Sequence, residues 1–191
     1  MRLEKLTSLL GSLTFAVWYG FLEYYYKPWT EWMPLPKIRL YMFSEYSLFF
    51  MLPVIVFVAF YPFIDDLASK ASLNSKLSTL LWGLGNTMLL TLIEDVSYFL
   101  PWRILYPIPG DPYGGLWIQP GEWTTKILGY ITIMNVVIPV WYLILTPIIA
   151  SFYLASVALL ARGRSGDPDN NSRLRLGGGG LSGAIPKYRG A

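Results

Sequence analysis

The 191 residues suit one domain, and they are 54% hydrophobic and only 14% charged, with a mean hydropathy of +0.43; soluble domains carry roughly 25% charged residues. Cys and His are both absent, which excludes disulfides, thiolate nucleophiles, His-built zinc or haem sites and every Ser-His-Asp arrangement. The net charge of +3 comes from a basic tail rather than a nucleic-acid surface, and the composition predicts a polytopic membrane protein with no cofactor and no metal.

In chain order, Thr7–Tyr26 is apolar and aromatic for about one membrane thickness. It reads as a retained first helix, with Glu23 reaching headgroup water beside Tyr24, Tyr25 and Tyr26. Lys27–Leu40, with three prolines and two tryptophans, reads as an interfacial loop. A second helix is expected over Ser44–Ile64, kinked at Pro53, and Asp65–Lys76 is expected to be a polar connector.

The third helix is expected over Leu77–Leu100, stopped by Pro101. Gly83, Thr87, Thr91, Glu94 and Tyr98 recur at spacings of four, four, three and four, which stacks them on one face. A carboxyl in such a setting is costly unless paired, hydrated or protonated, so Glu94 and Asp95 are the candidate site. Both sit near a helix C-terminus, where the macrodipole disfavours negative charge; Arg103, Lys126, a cation or a proton would compensate. The candidate binding set is Glu94, Asp95, Thr91, Tyr98, Arg103 and Asp111, with Glu94 or Asp95 as the catalytic candidates. An Asp95 or Glu94 pair with Arg103 that merely pins the loop explains the same residues.

Pro101–Lys126 is a long loop rich in Pro, Gly and Trp, expected to be ordered over the bilayer boundary, with a tight turn at Asp111-Pro112-Tyr113-Gly114-Gly115. Ile127–Ala161 is apolar for 35 residues, about 50 Å as one helix, and is expected to be a long fourth helix kinked at Pro139 and Pro147. Asn135 then falls early in that helix, where an amide bonds across to a neighbour. Arg162–Ala191 is basic and Gly-rich and is expected to be a disordered tail. The expected architecture is thus all-α: a four-helix transmembrane domain over 1–161 and a tail over 162–191. Ten basic residues on the side of the termini against five on the other put both termini in the cytoplasm of a multi-pass cell-membrane protein.

Glu94-Asp95-Val96-Ser97-Tyr98-Phe99, followed by Asp111-Pro112-Tyr113-Gly114, resembles a family of small uncharacterised prokaryotic integral membrane proteins. Those carry a Glu-Asp-x-x-aromatic-Phe helix end and then a Pro-x-aromatic-Gly loop. Their pattern continues with Trp-Trp-His, whereas Gly121-Glu122-Trp123 stands here without a His. Glu94, Asp95 and Phe99 are also similar to an acidic element of membrane lycopene cyclases, with Leu92 and Ile93 in place of its proline. Two functions follow. The first is a non-catalytic subunit or small binding protein, partnered by the bilayer and other membrane subunits, with an acidic site near the external boundary. The alternative is a membrane enzyme using a carboxyl general acid on an isoprenoid or lipid. A proton or cation conductor is disfavoured, because no chain of ionisable residues crosses the membrane.

Overall fold

The computed structural model describes residues 3–30, 52–69 and 71–165. The expected loop beyond Thr30, the first part of the second helix and the tail after Ser165 lie outside the described residues.

Three long helices carry the fold: α1 (Leu3–Thr30), α3 (Leu73–Ser97) and α5 (Val140–Ser165). Between α1 and α3 come a π-helical turn at Ile55–Ala59 and the short α2 (Tyr61–Ala68). Pro62, in the first turn of α2, opens that helix rather than closing one, since a first-turn proline gives up no helical bond. Ser72 then caps α3, its hydroxyl accepting from the Ser75 amide at 3.3 Å.

The direction of the bundle is written in its hydrogen bonds. Lys5 meets Ser78, Ser8 meets Asn86 and Ser97 meets Ala16, so α1 and α3 run parallel. Ser156 meets Ser78, Tyr153 meets Asn86 and Tyr142 meets Asp95, so α5 runs antiparallel to α3. These contacts extend over about 21 Å of α5 at 1.5 Å per residue.

The expected four transmembrane helices are not found among the described residues. Among the described residues one helix, Val140–Arg162, is long and apolar enough to cross a membrane, which points to a membrane location by length and composition alone. In α1 the residues Glu4, Lys5, Ser8, Ser12, Thr14 and Glu23 dilute the apolar run, and hydroxyls, Asn86 and two acids do the same in α3. The connector reading of Asp65–Lys76 also fails. Asp66 is buried and accepts from the hydroxyls of Ser75 at 2.6 Å and Thr79 at 3.0 Å, tying α2 to the start of α3.

The long fourth helix is corrected too. Its first third is a β-hairpin, β1 (Tyr130–Ile133) with β2 (Val136–Pro139), paired Ile133 to Val136 through Tyr130 to Pro139. Met134 and Asn135 form the two-residue turn with φ of 49° and 65°, the left-handed pair that matches the twist of a hairpin. The β-branched residues of both strands favour this over helix. Asn135 is therefore a turn residue, not an interhelical bridge. Nor does Pro101 stop the third helix: the backbone widens into a π-helical turn over Tyr98–Ile104 with the proline inside it.

Close approach of α1 to the end of α3 depends on Gly20. A Cβ there would lie 2.0 Å from Ser97 Oγ and 2.8 Å from the Glu94 carbonyl oxygen, which belongs to the helix backbone and has little room to move. Gly20→Ala is expected to lower stability by about 1–3 kcal/mol through overpacking, read as a lower thermal midpoint in detergent. An unchanged midpoint would mean that α1 does not seat there.

Candidate functional site: the Asp95 and Arg103 knots

Asp95 lies in the last turn of α3 and is 1% exposed. Its Oδ2 accepts from Thr124 Oγ1 at 2.9 Å and from the Tyr142 hydroxyl in a shorter bond. Thr124 belongs to α4 (Trp123–Lys126), a single turn at the end of the long loop, and Tyr142 to the first turn of α5. Trp141 adds its indole N–H to both the carbonyl and the hydroxyl of Thr124 at 3.1 Å. One carboxylate oxygen thus joins the third helix, the loop and the last helix. The other, Oδ1, is buried with no hydrogen-bond partner among the described residues. Phe99, Ile118, Val137, Trp141 and Tyr142 form the apolar core beside it.

Arg103 does not serve this carboxyl. It is 3% exposed and forms a two-pronged pair with Glu122, at 3.0 Å and 2.9 Å. Its remaining donors reach the carbonyls of Leu116 at 2.9 Å and Trp117 at 2.8 Å, while the guanidinium lies 4.6 Å from the Phe99 ring centroid. The planar fork suits this combination of carboxylate, carbonyls and ring face. Pinning the loop is what Arg103 does, but through Glu122 rather than through Asp95 or Glu94. Gly115 N donates to the Arg103 carbonyl at 2.8 Å, and Trp117 Nε1 reaches the Val137 carbonyl at 2.7 Å, so the middle of the 105–122 segment is tied both to the π-helical turn and to the hairpin.

The other expected site residues separate into distinct jobs. Glu94 is buried one position before Asp95. Thr91 sends its hydroxyl to the Thr87 carbonyl, within its own helix. Tyr98 packs edge-on against Tyr24 and Phe99. Asp111 accepts from the Tyr24 hydroxyl at 2.9 Å and from the Tyr113 amide at 2.9 Å, holding its own turn against α1. These contacts tie Asp95, Arg103 and Asp111 to different parts of the cap and α1. Among the described residues, no three acidic side chains come together as a metal site.

At the opposite end of the bundle sits a second buried constellation. Lys5, 1% exposed, donates to Ser78 Oγ and Ser156 Oγ at 2.7 Å each and lies 5.0 Å from the Trp82 ring centroid. Its only forewarning in the sequence is the recurrence of small hydroxyl residues on the helices that meet it. Glu122, nineteen residues from Arg103 across an irregular loop, had no periodic signal at all.

No family model, curated protein or solved structure matches this chain.

Asp95 is buried, with Thr124 and Tyr142 bonded to one of its oxygens and Trp141 bonded in turn to Thr124. The hydroxyl donors offset the cost of burying the carboxyl. Tyr142→Phe is expected to cost about 1–3 kcal/mol by removing one donor. Arg103→Leu is expected to cost more, about 3–5 kcal/mol, because it strands the largely buried Glu122. Thermal midpoints of the two purified variants check the order, and an Arg103 variant as stable as the wild type would mean that Arg103 is not the loop's main anchor.

Proposed function

We propose that this chain is a non-catalytic protein of the cell membrane, a subunit or small binding protein whose ordered cap over 98–139 meets other membrane subunits. The observation that carries the reading is the sealed Asp95 carboxyl: it is bonded on one oxygen by the cap and by α5, and it presents no open face. A carboxyl so held acts as a fastener. It keeps the cap seated on the helix ends, near the external boundary of the bilayer in this topology, and the cap in turn offers its exposed Tyr106, Tyr113, Leu116 and Trp123 outward. Aromatic side chains of this kind anchor protein contacts and membrane interfaces alike.

The membrane placement follows from α5. Because α1 and α3 lie along it, a bilayer crossed by α5 is crossed by them as well, giving a multi-pass chain. Lys5 touches both Ser78 and Ser156, so the start of α1 and the far end of α5 share one side of the bundle. Arg162 and the basic residues after it favour the cytoplasm for that side. Lys5 itself, buried among hydroxyls, contributes to packing rather than to the surface charge that sets orientation.

Two measurements test this. In the Cys-free chain, Leu116→Cys on the cap is expected to react with an impermeant thiol reagent on intact cells, and Asn74→Cys, exposed at the start of α3, only after permeabilisation. The reverse pattern would invert the topology. Second, Asp95→Asn retains the shape and an acceptor oxygen, so partner retention on purification in mild detergent is expected to survive it. Turnover of a bound isoprenoid by the wild type, lost in a folded Asp95→Asn protein, would replace the subunit reading with the general-acid enzyme.

A further inference from the structure

The hairpin has two edges, and they are treated differently. With a two-residue turn, Ile133 with Val136 and Ile131 with Ile138 exchange the ladder bonds, so Tyr130, Thr132, Val137 and Pro139 turn their backbone groups away from the ribbon. On the β2 side the Val137 carbonyl is taken by Trp117 Nε1 at 2.7 Å, and Pro139 has no N–H to satisfy. On the β1 side, the N–H and C=O groups of Tyr130 and Thr132 have no partner among the described residues. β1 is exposed at every position, and the turn beyond it shows Met134 94% exposed.

We propose that the free edge of β1 seats a second copy of this chain, the two β1 strands pairing antiparallel about a two-fold axis at Ile131 to form a four-stranded sheet. The strip asks for contradictory surroundings. Its side chains, Ile131, Ile133 and Met134, favour an apolar environment, whereas its bare backbone groups require hydrogen bonds. Another strand satisfies both. The spacing of the bare groups is self-complementary: Tyr130 of one copy exchanges two bonds with Thr132 of the other, and the symmetric pair repeats them, with Ile131 facing its own counterpart.

Charge favours a copy as well. No Asp, Glu, Lys or Arg occurs over 129–161, so two copies meet here without like-charge repulsion, and none of the usual edge protection by lysine, proline or a bulge is present on β1. Four residues of strand bury less than the ~1,200 Å² of a stable interface. The contact accordingly extends onto the exposed apolar residues that follow in the chain, Leu143, Ile144 and Ile148. This deepens the subunit reading by naming the partner.

The register gives a sharp test in a chain without cysteine. Ile131→Cys, in the full chain in native membranes, is expected to oxidise with copper phenanthroline to a disulfide-linked product of twice the 21.7 kDa monomer. Ile133→Cys, on the same strand and more exposed, is expected not to link, because the two-fold at Ile131 separates the two copies of that position. Thr132→Pro placed in the Ile131→Cys protein removes an outward N–H but no inner ladder bond, and is expected to abolish the linked product. Equal linking at 131 and 133 would reduce the result to collision and overturn the proposal. So would linking that survives Thr132→Pro. A link from 131 to a different protein would overturn self-pairing while leaving the subunit reading intact, whereas isoprenoid turnover by a protein that still forms the 131 link would overturn the subunit reading and leave self-pairing standing.

Discussion

Everything at the cap end of this protein depends on where one carboxylate oxygen finds its donors. Asp95 Oδ2 draws a hydroxyl from α4 and another from α5, two elements separated by the whole hairpin, and so fixes both against the end of α3. A carboxyl shut away from water tolerates little movement of its donors, since an unmade bond there costs the full desolvation penalty of the group. Arg103 repeats the principle with the opposite charge. Its Glu122 partner lies within the same cap, so this second knot gives the loop its own shape, while Asp95 sets where that shape sits.

Below the cap, the helices are joined by hydroxyls and small residues rather than by a thick apolar core. Ser78 and Ser156 exchange hydroxyl-to-carbonyl bonds at 2.6 Å and 2.7 Å, Asn86 links α1 to α5 through Ser8 and Tyr153, and Gly83 and Gly85 admit the rings of Phe60 and Tyr153. In the membrane placement proposed above, helices that meet lipid on their outer faces would gain little from burying more hydrocarbon, and close packing with interhelical hydrogen bonds would take its place. The exposed Leu143, Ile144, Ile148, Leu154 and Val157 of α5 fit the same economy of apolar surface.

What could be read from the residues alone follows from the range of the interactions. The stripe ending in Glu94 and Asp95 is a local, periodic signal, and both acids are buried at the end of a helix, Asp95 bonded to the end of the long loop. Periodicity does not say which acid the loop would bind, because that was decided by Thr124 and Tyr142, 29 and 47 residues away. The Arg103–Glu122 pair bridges irregular chain, where no repeat exists to reveal it. At 130–139 the error was one of priority: unbroken hydropathy suggested helix, while the β-branched residues flanking Met134-Asn135 held the hairpin signal in plain view. A lysine near a helix start is ordinarily solvated, so no local signal marks Lys5 as buried.

The π-helical turn at Tyr98–Ile104 has a consequence for how this chain tolerates change in length. Such a turn amounts to one residue too many in a helix of ordinary pitch. Excising a single residue from it, for instance the exposed Leu100, would let the segment relax to regular α-helix and swing everything downstream by about 100°. Arg103, Leu116, Trp117 and Glu122 would turn together and keep their knot, whereas Thr124 would be carried away from Asp95, with no residue of either knot replaced. The surplus residue is therefore an angular spacer: it sets the azimuth at which the cap leaves the bundle, and insertions or deletions are far less neutral there than in the turns at Gly110 or Gly121.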